Sequence, residues 1–189
     1  MKKRSLAIRW NAPVTLSFAL LSLAVLGLSA LTQGRSNLLL FSVYRSPLSN
    51  ALTYPRFFLH VLGHSGISHY TSNVMLLLVL GPGLEERFGS ESILKAMAVT
   101  AFVTGLLHWL LFPGTALLGA SGVVFMMILM ASQGGMHGDG IPLTLILVFL
   151  LYVGSEVWTA LAVQDNVSHL THIVGGVCGA VLGLKMRKK

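Results

Sequence analysis

The chain has 189 residues, 54% of them hydrophobic and 10% charged, with a net charge of +7 and a mean hydropathy of +0.77. A soluble domain of this length does not carry so few charges, so the composition is that of a membrane protein. The basic residues sit at the two ends and in short loops without interleaved aromatics, which argues against nucleic acid as a partner. Cys178 is the only cysteine, so there is no disulfide framework or cysteine metal site to consider.

Lys2, Lys3, Arg4 and Arg9 precede an apolar run over residues 14–32, close to the roughly 20 residues that cross a bilayer. The run is too long for a signal-peptide core and no small-x-small cleavage site follows it, so a retained first helix is expected, with its basic N-terminus in the cytoplasm. Residues 33–67 mix aromatic and apolar residues with Arg45 and Arg56. That composition predicts short elements lying in the headgroup region.

Further spans are predicted over 68–84, 92–112, 118–133, 141–162 and 168–184. A turn with Glu85, Glu86 and Arg87 follows the second, and Pro113-Gly114 closes the third. Six spans return the C-terminus to the starting side. Ten Lys/Arg then fall on the cytoplasmic side and three (Arg35, Arg45, Arg56) outside, the asymmetry that sets orientation. Matched halves, usual in inverted-repeat transporters, are absent.

Polar residues within a bilayer cost a few kcal/mol each and need a reason. His69 and Asn73 share one face of the second span, with His64 just upstream. His60, His108, His137 and Glu156 are scattered. On the sixth span His172, Gly175, Gly179 and Gly183 step by three and four and form one stripe, along which another helix can approach closely. The fourth span offers Gly119-Ala120-Ser121-Gly122. If these two meet, packing brings the His172 imidazole towards the Ser121 hydroxyl, each about 6–8 Å below its helix start.

A serine at a helix N-terminus lies beside unpaired N–H groups and the positive end of the helix dipole. A neutral imidazole within reach takes its proton during attack on a carbonyl and returns one to the leaving amine. No aspartate is placed to orient the histidine, so the pattern reads as a Ser121–His172 dyad. The Ser121 N–H, His69 and Asn73 are the candidate oxyanion donors.

Each motif has a plainer use. Small residues often mark only packing seams, and His69 and Asn73 could hold helices together. His169 is a competing base, nearer the surface and off the glycine stripe. His60 and His64 lack a third ligand, so neither a metal nor a cofactor is expected. Met126, Met127 and Met130 read as packing residues.

Three motifs in order, His64 to His69 to Asn73, then Gly119-Ala120-Ser121-Gly122, then His172-x-x-Gly175-x-x-x-Gly179, resemble the rhomboid family of intramembrane serine proteases. The resemblance implies an all-α membrane protein, a single six-helix rhomboid-like bundle over 1–189 with an interfacial first loop. It implies Ser121 as nucleophile, His172 as general base, and His69 with Asn73 at the oxyanion. His64 becomes a cavity histidine outside the dyad, and Phe125 replaces a tyrosine stacked on the catalytic histidine. Arg56 is similar to the arginine of a Trp-Arg pair, with Pro55 in the tryptophan's place, and the 85–87 turn resembles the family's acidic-basic turn.

The implied activity is an endopeptidase in the cell membrane, with both termini cytoplasmic, that cuts transmembrane helices of other membrane proteins. The alternative is a non-catalytic protein on the same scaffold that holds such clients without cutting them.

Overall fold

A computed structural model describes residues 9–133, 141–154 and 166–186. Lys2, Lys3, Arg4, His137, Glu156, residues 155–162 of the fifth predicted span and residues 187–189 lie outside the described residues. The elements are helices α1 (Pro13–Leu31), α2 (Arg35–Leu39) and α3 (Thr53–Leu59), the last running into a 3₁₀ turn at His60–Leu62. Then come α4 (Ile67–Phe88), α5 (Ser90–Leu111), α6 (Ser121–Ala131), α7 (Leu143–Val148) with a π-turn at Phe149–Val153, and α8 (Asn166–Lys185). Among the described residues the only β pairing outside helices is an antiparallel bridge between Val43 and Leu117.

Two of these helices, α1 and α5, are long and apolar enough to cross a membrane. Helix α6 is as apolar but has 11 residues, about 16 Å of rise. Helix α4 has 22 residues, and its His69, Asn73, Glu85, Glu86 and Arg87 dilute its hydropathy. The predicted count of six spans therefore goes further than the two helices that meet the test. Outward-facing Leu31 (85% exposed) and Val79 (71%) belong to an apolar exterior that lipid, not water, accommodates. Inside, Leu77, Ile93, Val123, Met126, Met127 and Met130 from α4, α5 and α6 form the main core, the methionines filling irregular gaps.

Three helix boundaries differ from expectation. Helix α4 passes through Gly81-Pro82-Gly83 and stops at Phe88 instead of 84, because its last turn is held from outside. The buried Glu85 carboxylate accepts from the Thr15 N–H at 2.7 Å, the Thr15 hydroxyl at 2.6 Å, the Val14 N–H at 3.2 Å and the Ser90 hydroxyl at 2.6 Å. It thereby supplies the N-cap that Ala12 does not give α1. Helix α6 starts at Ser121, not 118, because Leu117 is held in the bridge to Val43 and Gly119 has φ +127°, which is not helical. Helix α8 starts at Asn166.

These shifts correct the distances from the helix starts, since Ser121 is the first residue of its helix and His172 is six residues into α8, about 9 Å of rise. The register of Gly175 on Gly122 and Gly179 on Met126 nevertheless brings the two to nearly the same level.

The contacts fix which ends lie together. Glu85 at the end of α4 meets the start of α1, and Arg87 donates to the Gln133 carbonyl beyond α6 at 2.9 Å. Gln133 in turn donates to the Gly179 and Ala180 carbonyls of α8 at 3.2 and 3.1 Å. Helices α4, α6 and α8 thus run parallel, antiparallel to α1, and all three begin at the opposite end of the bundle, where the motif residues lie.

Candidate active site

Helix α6 packs on α8 more extensively than any other pair, and the glycine stripe is the reason. A Cβ added at Gly175 would lie 2.8 Å from the Gly122 carbonyl carbon and 2.9 Å from its Cα. At Gly179 it would lie 2.8 Å from the Met126 carbonyl carbon, and at Gly183 2.5 Å from the Gln133 amide. Real Cβ atoms do not approach backbone so closely, so only glycine permits the spacing at Gly175 and Gly179, while at Gly183 the neighbour is the Gln133 side chain. The predicted meeting of the two small-residue stretches is found, with Gly122 directly on Gly175.

That seam carries the half-buried His172 to α6, where its ring stacks on Phe125 at 4.3 Å between centroids and 5° between planes. Ser121 and Phe125 are four apart and share a face, so the imidazole lies against the face that bears the hydroxyl. Thr171, just before His172, packs its methyl 3.1 Å from a Cβ position at Gly122. His169 is half-buried on α8, while the stack on Phe125 belongs to His172.

His69, in the first turn of α4, reaches the other side of the serine loop. Its Nε2 lies 2.7 Å from where a Gly119 Cβ would be, and it is an electrostatic neighbour of His172. Its Nδ1 receives the Ser65 backbone N–H at 3.5 Å, with the Ser65 hydroxyl at 3.1 Å. A backbone N–H can only donate, so Nδ1 is an acceptor and the neutral ring carries its proton on Nε2, on the Gly119 side. Asn73 is buried, and its amide nitrogen donates to the His69 carbonyl at 2.8 Å, which leaves its second N–H for another acceptor. The Ser121, Gly122 and Val123 N–H groups open α6 and have no intrahelical acceptor.

The segment between α1 and α4 braces this loop from behind. The Val43 and Leu117 N–H groups each donate to the other's carbonyl at 2.9 Å, and the Gly119 N–H donates to the His60 carbonyl at 2.9 Å. The His60 ring is fully buried, bonded to the Arg56 carbonyl at 3.1 Å, and burial lowers its pKa to about 4. His64 is likewise lowered to about 4, first by burial and then by the nearby His69.

Arg56, in the segment expected to lie in the headgroup region, is turned into the protein. It is 3% exposed, donating to the Leu39 carbonyl at 2.9 Å with its guanidinium 4.5 Å over the Tyr44 ring. Tyr44 thus supplies an aromatic partner where Pro55 could not. Arg45 stays exposed, over the Trp109 ring at 4.7 Å. The sequence reading missed Ser65, which sets the His69 tautomer, and Gln133, which ties α6 to α8. A glutamine closing an apolar run was the available signal for the second.

The Rhomboid domain family profile matches residues 51–189 of the chain. Rhomboid-related protein 1 of Caenorhabditis elegans is 30% identical over 139 residues, covering 68% of this chain and 38% of that protein. Rhomboid-like protein 11, chloroplastic, of Arabidopsis thaliana is 26% identical over 133 residues, covering 63% of this chain and 48% of that protein. The chain thus spans less than half the length of either relative.

Proposed function

The chain belongs to the rhomboid family and is a membrane protein, and from that membership and the arrangement around Ser121 we propose that it is an intramembrane serine endopeptidase. Members of the family are generally such proteases, although some are inactive. Ser121 is the nucleophile and His172 the general base. The observation that carries the reading is the α6–α8 seam, in which Gly175 on Gly122 and His172 on Phe125 hold an imidazole to the serine's face of the helix.

His172 takes the Ser121 proton as Oγ adds to the carbonyl of a scissile peptide bond. The oxyanion accepts from the Ser121 N–H, the His69 Nε2–H and the remaining Asn73 N–H, all set before the reaction begins. His172 then protonates the leaving amine, and water releases the acyl group from Ser121 by the same steps. Supporting this placement, Gly119 and Gly122 leave room for His69 and α8, and His64 backs His69.

Substrates are transmembrane segments of other membrane proteins. Such a helix must unwind locally, since its carbonyls are otherwise hydrogen-bonded. The protein is a multi-pass resident of the cell membrane with six spans and both termini cytoplasmic, and the site opens on the other side. No cofactor or metal takes part.

The test is cleavage of a labelled single-span substrate by purified protein in liposomes. The expected result is cleavage by the wild type and by His169→Ala, and none by Ser121→Ala or His172→Ala. Cleavage that survives both dyad changes would remove the reading. Client binding without any cleavage by the wild type would favour the holding protein instead.

A further inference from the structure

Helices α1 and α5 both start at the end of the bundle that holds Glu85, and they part around an apolar groove of about 470 Å³. Pro13, Ser17 and Leu21 line it from α1, and Leu94, Ala98 and Ala101 from α5. Phe58 and Leu62 close its far end, where the Phe58 ring stacks on Phe102 at 5.5 Å between centroids. The 3₁₀ turn ending at Leu62 carries the His60 carbonyl that receives the Gly119 N–H, so the occupant of the groove packs against the support of the serine loop.

The groove's dimensions choose among the apolar molecules of a membrane. From Pro13 to Leu21 α1 rises about 12 Å, close to the ~15 Å hydrocarbon depth of one leaflet. Spread over that length, a volume of about 470 Å³ leaves a cross-section of about 40 Å², roughly half that of even a slim helix ~10 Å across. A transmembrane helix is therefore too thick, and a single acyl chain fits.

The mouth lies at the starts of α1 and α5, and its charge says which lipid. Arg9 is exposed four residues before Pro13, beside Trp10 at 59% exposure, an aromatic suited to headgroup depth. Lys95 follows Leu94 on the rim. Glu91 pairs with its ammonium at 2.6 Å, but the two side chains are 80% and 72% exposed, and such a pair is weak. Glu85 is buried and closed by its four hydrogen bonds. The exposed charge that the two helix starts place at the mouth is thus net positive, which a phosphate complements.

We infer that this groove binds one anionic phospholipid, with an acyl chain lying from Pro13 to Phe58 and the headgroup phosphate held by Arg9 and Lys95. The site is apart from the α6–α8 seam and does not depend on the dyad.

Native mass spectrometry of the full chain in detergent tests it, with phosphatidylglycerol or phosphatidylcholine of identical chains added at equal concentration. Wild type is expected to retain one phosphatidylglycerol at least about fivefold more tightly than phosphatidylcholine, the weight of one net basic charge near a headgroup. Ser17 and Ala98 are exposed in the groove, so Ser17→Phe and Ala98→Phe fill it from either wall and should each cut retention at least about tenfold. Val99→Phe, at a position 46% exposed outside the groove lining, should leave retention unchanged. Arg9→Gln combined with Lys95→Gln should bring phosphatidylglycerol down to the phosphatidylcholine level.

Equal retention of the two lipids by wild type, or retention unchanged by a folded groove variant, overturns the inference. Equal loss in Val99→Phe does so too, since the lipid would then belong to a general shell. If one groove variant does not fold, judged by its melting curve, the other is read alone. If neither folds, the walls are packed interior and the inference falls. No cleavage is measured, so none of these outcomes bears on the proposed activity.

Discussion

At the end of the bundle where α1 starts and α4 stops, polar groups, the buried Gln133 Oε1 apart, are closed on one another. The Glu85 carboxylate takes four hydrogen bonds from Val14, Thr15 and Ser90, and Arg87 and Gln133 join α4, α6 and α8 through backbone carbonyls. At the other end, polar groups are aimed at one place instead. The first N–H groups of α6, the His69 Nε2–H and the His172 ring converge on the Ser121 turn, held there by glycines and by the loop behind. The difference teaches what each end suits: closed polar groups fix helices in lipid, where an unmet hydrogen bond is costly, while aimed ones, on the proposed reading, await a charge that appears only during reaction.

The comparison breaks most directly at Ser121. Ser121→Ala is expected to lower the cleavage rate by about 10⁴-fold or more while leaving thermal stability in detergent unchanged. A stability loss of similar weight would place Ser121 with the structural end. His69→Ala should cost about 10²–10³ in kcat, as for removal of one oxyanion donor, again with a small change in melting temperature.

Glu85→Ala should invert that pattern. It strips the cap from α1 and leaves the Thr15 and Ser90 hydroxyls unmatched, a loss of about 2–3 kcal/mol in unfolding experiments, with activity per folded molecule retained. Phe125→Ala, which removes the stack on His172, should lower kcat by roughly fivefold for about 1 kcal/mol of ring contact, and Phe125→Tyr should restore it.

The smallest effect sharpens the contrast through pH. His60 and His64 titrate near 4 when folded and near 6.5 when unfolded. As pH falls from about 6.5 towards 4, the unfolded chain takes up protons that the folded chain refuses, so stability present above 6.5 declines across that window. Melting curves of His64→Phe should show a shallower decline than wild type. An equal slope would mean that His64 is not buried neutral.

Much of the site's geometry was legible because it rests on local spacing. The steps of three and four from His172 through Gly175 to Gly183 predict a stripe, and its contact with the Gly119 and Gly122 stretch follows from what small residues do in apolar helices. Helix ends were less legible because partners far away in the chain set them. Nothing near Pro82 announces that Thr15, seventy residues earlier, will hold Glu85 and carry α4 to Phe88. The start of α6 is likewise decided by Val43 pairing with Leu117. The burial of Arg56 was not legible for a similar reason: its partners, Leu39 and Tyr44, come from a loop with no periodicity to read.

The central claim is that the histidine carried in by the glycine seam activates the serine that opens α6. Fluorophosphonate labelling with mapping of the modified peptide tests it most directly. The account predicts one adduct, on Ser121, formed by wild type and His169→Ala and absent from His172→Ala. An adduct on another residue, or one on Ser121 that forms as fast without His172, would contradict it.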